Sequence, residues 1–135
     1  MITTVDTSVV IPALASWHEA HTTARRACRE VTCLPAHTLL ESISVLTRLP
    51  GGLALAPVVA VAAVTAKFPD EPLTLTSQEY RQLTETIAAI SLRGGQVYDA
   101  LVAATAARHG ARLVSLDARA APFYRAVGVD HELLS

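Results

Sequence analysis

The sequence predicts an α/β fold in three layers, with helices on both faces of a central parallel sheet of about five strands. Short apolar or β-branched runs alternate with longer segments of helical periodicity along the whole chain. Hydrophobic residues make up 51% of the chain and aromatic residues only 4%, which requires a core of aliphatic side chains. We expect residues 1–135 to form a single domain, since 135 residues suit one core.

Five short segments carry the strand pattern, because each is apolar or β-branched and is followed by a polar residue or proline. These segments are Ile2–Val5, Val31–Leu34, Leu73–Leu75, Ala111–Leu116 and Val127–Val129. Seven segments carry helical periodicity, and capping residues, prolines or glycines bound most of them. The predicted helices are a first helix after Thr7 and Ser8, then Trp17–Arg29, Ala36–Leu49, Pro57–Lys67, a helix from Thr76 or Ser77 through Ile90, Tyr98–His109 and Ala118–Ala126.

The charge balance excludes a broadly basic nucleic-acid-binding surface, because the net charge is −1. Any contact with nucleic acid must therefore be local, assisted by a divalent metal, or made by the surface of a dimer. The N-terminal segment lacks the basic and apolar regions of a signal peptide. The longest uncharged helical run, Val58–Ala66, is too short to span a bilayer, so we expect no membrane association and a cytoplasmic protein.

Four of the twelve acidic residues lie in apolar stretches of sequence, unlike the others, which lie in polar neighbourhoods. These four residues are Asp6, Glu41, Asp99 and Asp117. A carboxylate in an apolar setting is costly unless it is paired or bound to a metal. Taken singly, Asp6 could cap the first helix, and Asp99 could interact with the dipole of its own helix.

The four carboxylates together indicate a metal site. Asp6 and Asp117 each follow a predicted strand, and ligands of parallel sheets bind at the carboxyl ends of strands. Basic partners near the four are few, namely Arg48, Arg119 and Arg112. Mg²⁺ or Mn²⁺ would supply the missing positive charge, since hard cations prefer oxygen ligands. Such metals activate water and stabilise both oxygens in phosphodiester hydrolysis.

The chain resembles the PIN-domain nucleases, in particular the VapC-type toxins of bacterial toxin–antitoxin pairs. The resemblance rests on an ordered set of segments: VDTSV, LLESISVLTRLP, VYDALVAATAARHGARLVSLD and AAPFYRAVGV. It implies a PIN fold with a five-stranded parallel sheet, and endoribonuclease activity that depends on Mg²⁺ or Mn²⁺. Asp6, Glu41, Asp99 and Asp117 match the family's four acidic positions. We expect Asp6 and Asp99 to bind metal directly, and Glu41 and Asp117 to act through waters or a second metal.

The resemblance also implies supporting residues and partners. Ser8 and Ser115 match hydroxyl-bearing positions beside the acids, although a helix cap and an ordinary strand residue explain them equally well. Arg48 lies two helical turns after Glu41 and could contact a substrate phosphate, or could be a surface arginine. Family members bind RNA and a cognate antitoxin and usually form homodimers. The helices within Ala13–Ala27 and Pro57–Phe68 could supply partner surfaces, or could be core.

Two other functions stay open on the sequence alone. An acidic-pocket phosphohydrolase or a phospho-receiver domain also places aspartates at strand ends. A receiver needs a lysine at the end of a late strand, but the one lysine of this chain, Lys67, falls in a helix–turn region. A catalytically silent interaction module with a PIN fold is the other alternative, and the complete acidic set argues against it.

Overall fold

The computed structural model describes residues 1–135 as seven helices and three strands. The strands are β1 (Thr3–Val5), β2 (Arg112–Ser115) and β3 (His131–Leu133). The helices are α1 (Thr7–Leu14), α2 (His21–Ala27), α3 (Ala36–Thr47), α4 (Pro57–Lys67), α5 (Ser77–Ala89), α6 (Gly95–Arg108) and α7 (Ala121–Val127). None of the seven helices combines the length and the apolar character needed to cross a bilayer.

The sheet is parallel, with strand order β1-β2-β3. Val5 pairs with Val114, and Ser115 pairs with Leu133, so that the carboxyl ends of all three strands meet at one edge. The first strand therefore lies beside a strand that follows it by more than a hundred residues. This pairing brings the residues after β1 next to the residues after β2.

Core side chains cover both faces of the sheet, which confirms the predicted three-layer arrangement. Successive strand residues point to opposite faces. Leu113 of β2 packs with Val102 and Tyr124, whereas its neighbour Val114 packs with Val5 and with side chains of α1. The helices thus form a layer on each side of β2, and the sheet edge stays open for a site.

The prediction of about five strands was wrong, because two of the predicted segments do not form strands. Val31–Leu34 and Leu73–Leu75 are irregular, and a single parallel bridge joins Pro35 to Leu73. Pro35 has no backbone N–H and cannot extend a ladder. A side chain makes the link to β1 instead, since Thr4 Oγ1 donates a hydrogen bond to the Cys33 carbonyl at 2.9 Å.

The last predicted strand was misplaced by a few residues. Val127 ends α7, and Gly128 follows it with a left-handed backbone (φ 88°) that favours glycine. The edge strand therefore begins only at His131. The sequence gives little sign of this strand, because Leu133 is its one apolar residue and none of its three residues is buried.

Three helices begin at other residues than predicted. The second helix begins at His21 and not at Trp17, because residues 16–20 form turns in which the His18 ring accepts a hydrogen bond from the Ala20 N–H at 3.0 Å. Helix α6 begins at Gly95 and not at Tyr98, which adds nearly one turn ahead of Asp99. Helix α7 begins at Ala121, the residue before Pro122, which is three residues later than predicted.

Candidate active site

The four predicted carboxylates line one cavity of about 160 Å³ at the carboxyl edge of the sheet. Asp6 follows β1 directly, and Asp117 lies two residues after β2. Glu41 projects from the second turn of α3, and Asp99 from the second turn of α6. The sequence-based expectation that these residues share one site agrees with this placement.

Asp6 is the most buried of the four, with only 6% of its surface exposed. One carboxylate oxygen caps α1 by accepting hydrogen bonds from the Ser8 N–H at 3.1 Å and from the Ser8 hydroxyl. The other oxygen accepts a hydrogen bond from Tyr124 Oη at 2.6 Å. Burial raises the pKa of Asp6, the charge of Asp117 raises it further, and hydrogen bonds from Ser115, Ser8 and Tyr124 oppose the rise.

We expect Tyr124→Phe to lower the free energy of unfolding by about 1–3 kcal/mol, because it leaves a buried carboxylate oxygen without its donor. The ring of Tyr124 is buried and keeps its packing in this variant. Urea denaturation at neutral pH measures the change. Tyr80→Phe is the matched control, since Tyr80 is exposed and its hydroxyl makes no hydrogen bond. Equal stabilities of Tyr124→Phe and wild type would contradict the structural role of this hydroxyl.

Arg119 bridges two of the other carboxylates. Its Nη2 lies 2.9 Å from Asp117 Oδ2, and its Nη1 lies 3.4 Å from Asp99 Oδ2. The Arg119 side chain is mostly exposed, so that solvent screens both ion pairs. Burial raises the pKa of Asp99, with Asp117 and Asp6 adding to the rise and Arg119 opposing it. The site therefore gathers more negative charge than Arg119 alone can balance.

Glu41 has a polar neighbour on each side of its carboxylate. Thr7, the first residue of α1, donates a hydrogen bond to Glu41 Oε1, and His37 Nε2 lies 3.4 Å from Glu41 Oε2. The His37 ring stacks on Tyr98, with centroids 4.7 Å apart and planes 4° from parallel. Thr7, His37 and Tyr98 all line the cavity with Glu41. Residues from α1, α3 and α6 thus form its wall.

Ser8 and Ser115 connect the ends of the two strands that carry Asp6 and Asp117. Ser8 Oγ accepts a hydrogen bond from the Leu116 N–H at 2.8 Å and lies 3.3 Å from Ser115 Oγ. Ser115 is buried, and its hydroxyl accepts a hydrogen bond from the Asp117 N–H at 3.0 Å. These contacts fix the backbone that carries both aspartates.

Arg48 does not line the cavity, which favours the surface arginine among the two alternatives that the sequence left open. It is an exposed residue at the C-cap of α3 and makes no ion pair. Glu41 shares its helix face, but the seven intervening steps of about 1.5 Å separate the two along the axis. Arg48 is therefore a surface residue here.

The chemistry of the donors fits a divalent cation such as Mg²⁺ or Mn²⁺, because all four charged groups offer hard oxygen ligands. The raised pKa values of Asp6 and Asp99 show that burial and mutual repulsion disfavour their charged forms, which a cation would stabilise. The ligands are not preassembled, since no three His, Cys, Asp or Glu side chains converge on one point. Arg119 holds Asp99 and Asp117 in this arrangement.

Sequence reasoning assigned no role in the site to five residues with polar side chains that line the cavity. They are Thr7, His37, Tyr98, Arg119 and Tyr124. Local signals existed for most of them: Thr7 follows Asp6, Tyr98 precedes Asp99, and His37 lies one turn before Glu41. The sequence indicates Arg119 only as a nearby positive charge. Tyr124 had no local signal, because only the folded chain brings it to Asp6.

Comparison with known proteins agrees with this architecture. The family model described as PIN domain matches residues 3–128. Ribonuclease VapC27 of Mycobacterium tuberculosis (strain ATCC 25618 / H37Rv) is 47% identical over 127 residues, which cover 93% of this chain and 91% of the relative. Ribonuclease VapC40 of the same species is 41% identical over 130 residues, or 96% of this chain and 97% of the relative, in both strain CDC 1551 / Oshkosh and strain H37Rv. The chain belongs to the PIN-domain family.

Proposed function

We propose that this protein is a metal-dependent endoribonuclease and the toxin component of a type II toxin–antitoxin system. The observation that carries the proposal is the convergence of Asp6, Glu41, Asp99 and Asp117 on one cavity at the carboxyl edge of the sheet. The ribonuclease names of two relatives that match nearly the whole chain support RNA as the substrate.

The acidic residues would hold Mg²⁺ or Mn²⁺, with Asp6 and Asp99 as direct ligands and Glu41 and Asp117 as further or water-mediated ones. A bound cation would supply Lewis-acid stabilisation of the phosphodiester and a more acidic water molecule. Hydrolysis then adds water across one P–O bond. The burial of Asp6 and its bonds to Ser8 and Tyr124 favour this role, since they fix its orientation.

The protein's own residues would position the RNA strand. Arg119 is exposed at the mouth of the cavity, where its guanidinium could donate hydrogen bonds to phosphate oxygens. The hydrogen bond from Thr7 would keep Glu41 turned toward the cavity. In this arrangement the phosphate replaces Asp99 and Asp117 as the partner of Arg119 and releases both carboxylates.

The proposal extends to the family's protein partners and compartment, namely a cognate antitoxin, a second copy of the chain in a homodimer, and the cytoplasm. Several large hydrophobic side chains on and before α4 support a protein partner at this helix. They are the exposed residues Leu53, Val58, Val59 and Val61. Burial of such side chains against another protein is favourable.

Removal of divalent metal should abolish cleavage of RNA by the purified protein. The test incubates mixed cellular RNA with the protein and Mg²⁺ or Mn²⁺, then with excess EDTA, and then with EDTA followed by excess metal. We expect cleavage products with metal, none with EDTA, and recovery when metal is restored. Cleavage that persists in EDTA would contradict the metal-dependent mechanism. Absence of cleavage from every RNA and metal would favour the silent interaction module.

A further inference from the structure

A cluster of basic side chains lies on α2, just after it and at the end of α4, away from the carboxylate cavity. We refer to it as the α2 basic cluster, and its members are His21, Arg25, Arg26, Arg29 and Lys67. Together with Thr22 they line a depression of about 370 Å³ that contains no acidic or hydrophobic side chain. Four of the protein's eleven Lys and Arg residues are therefore concentrated here, in a chain of net charge −1.

The charges of the α2 basic cluster have no acidic partner. Arg25, Arg26 and Arg29 are exposed, and none of them forms an ion pair within the protein. Lys67 Nζ donates a hydrogen bond to the Cys28 carbonyl at 3.2 Å, which fixes it beside the end of α2. Arg25 lies in the last turn of α2 and Arg29 lies two residues after its end, so that like charges are concentrated at this end of the helix. An anionic ligand would offset them.

A surface groove adjoins the carboxylate cavity. Its lining includes Ser8 and Asp117, which also line the cavity, together with Pro12 and His18. His21 of the cluster does not line this groove, but its Nδ1 is bonded to the carbonyl of Pro12, which does, at 2.8 Å. The cluster is thus tied to α1, the helix whose first turn carries part of the cavity wall.

We propose that the α2 basic cluster binds the backbone phosphates of the same RNA strand whose scissile bond lies in the carboxylate cavity. This inference rests on the proposed ribonuclease function. A single-stranded nucleic acid needs a basic groove with aromatic side chains for its bases. Trp17 meets the second requirement, because it is 54% exposed and its ring lies 5.8 Å from that of His18 in the groove.

The chemistry of the cluster favours RNA over a protein partner. Protein interfaces have an apolar centre with charges at the rim, but this depression has no apolar side chain. Three guanidinium groups and an ammonium group match the repeated charges of a phosphate backbone. The groove beside the cavity carries two acidic residues, Asp117 and Glu19, and no Lys or Arg, so the phosphate contacts proposed here lie in the cluster itself.

The test measures RNA binding without cleavage, in EDTA, by the anisotropy of a fluorescein-labelled mixed-sequence RNA of about 12 nucleotides. Arg25→Gln/Arg29→Gln is compared with Arg81→Gln/Arg125→Gln, which removes two exposed, unpaired charges elsewhere. We expect the cluster variant to weaken binding about tenfold or more and to reduce the slope of log Kd against log salt by about 1.4, or 0.7 per lost phosphate contact. The control should bind as wild type does.

The single tryptophan gives a second readout. RNA should quench Trp17 fluorescence in wild type and in the control, and the cluster variant should need a higher RNA concentration for the same quenching. Equal weakening by both double variants, or by neither, would overturn the proposal. Labelled polyglutamate in place of RNA tests the alternative partner. If it binds as tightly as RNA and loses as much affinity in the cluster variant, the surface is a site for acidic protein.

Cleavage of two substrate lengths separates this inference from the proposed function. With Mg²⁺ present, we expect the cluster variant to lower kcat/KM for the long RNA and to leave that for a dinucleotide unchanged, since the single phosphate of a dinucleotide is the scissile one. Equal losses for both lengths would overturn the inference while leaving the nuclease intact. If no variant cleaves any RNA but the cluster variant alone binds weakly, the nuclease proposal fails and the binding surface stands.

Discussion

Asp99→Asn and Asp6→Asn should each reduce the rate of metal-dependent RNA cleavage by about 100-fold or more, because each removes a charged oxygen ligand from the cavity. Asparagine keeps the shape of the side chain and loses its negative charge. The measurement is the initial rate of cleavage of a labelled RNA with saturating Mg²⁺ or Mn²⁺. Rates within a few-fold of wild type in both variants would contradict the assigned role of these residues.

The loss of activity should not come from unfolding. In Asp6→Asn the remaining carbonyl oxygen can still accept a hydrogen bond. The neutral amide also avoids the cost of burying a charge, the same cost that raises the pKa of the Asp6 carboxylate. Asp99 is partly exposed, and Arg119 keeps Asp117 as a partner when Asp99 is changed. Asp130→Asn is the matched control, since Asp130 is exposed and lies outside the cavity. We expect all three variants to unfold at denaturant midpoints near that of wild type.

Leu113→Ala should lower the free energy of unfolding by about 2–5 kcal/mol, because it leaves a cavity in the core. Leu113 is completely buried in the central strand and packs with Val102, Tyr124 and their neighbours. A loss of this size should lower the Tm by roughly 10 °C in a domain of this length. Urea denaturation and thermal melts followed by circular dichroism measure the two quantities.

Leu40→Ala is the matched control for this change, because Leu40 lies on α3 with 68% of its surface exposed. We expect that variant to stay within about 0.5 kcal/mol of wild type. A Leu113→Ala protein as stable as Leu40→Ala would show that the layer between the sheet and α6 is not closely packed.

The sequence predicted the parts of the fold that are encoded locally. Leu39, Ile43 and Leu46 recur at helical spacing, and α3 forms where this pattern predicts it. Asp6 and Asp117 were recognised as strand-end residues because each directly follows an apolar run. Both inferences use only neighbours in sequence, and the structure agrees with both.

The sequence could not predict features that depend on distant pairings. Val31–Leu34 has the composition of a strand, but its link to β1 runs through the Thr4 side chain and not through a ladder. Tyr124 contacts Asp6 across 118 positions of sequence, and no periodic pattern encodes such a contact. Local sequence also does not predict the contact of Arg119 with Asp99, because the fold brings α6 beside the segment after β2.

During synthesis the site can form only after the segments that contact β1 and Asp6 have been made. β1 has its backbone partner only in β2, and the Asp6 carboxylate has its buried donor only in α7. A nascent chain that stops before these segments leave the ribosome contains Asp6 and Glu41 but lacks Asp117 and the strand that places it. An incomplete chain therefore cannot assemble the acidic cavity, and the emerging polypeptide stays without this site until β2 and α7 have both left the ribosome.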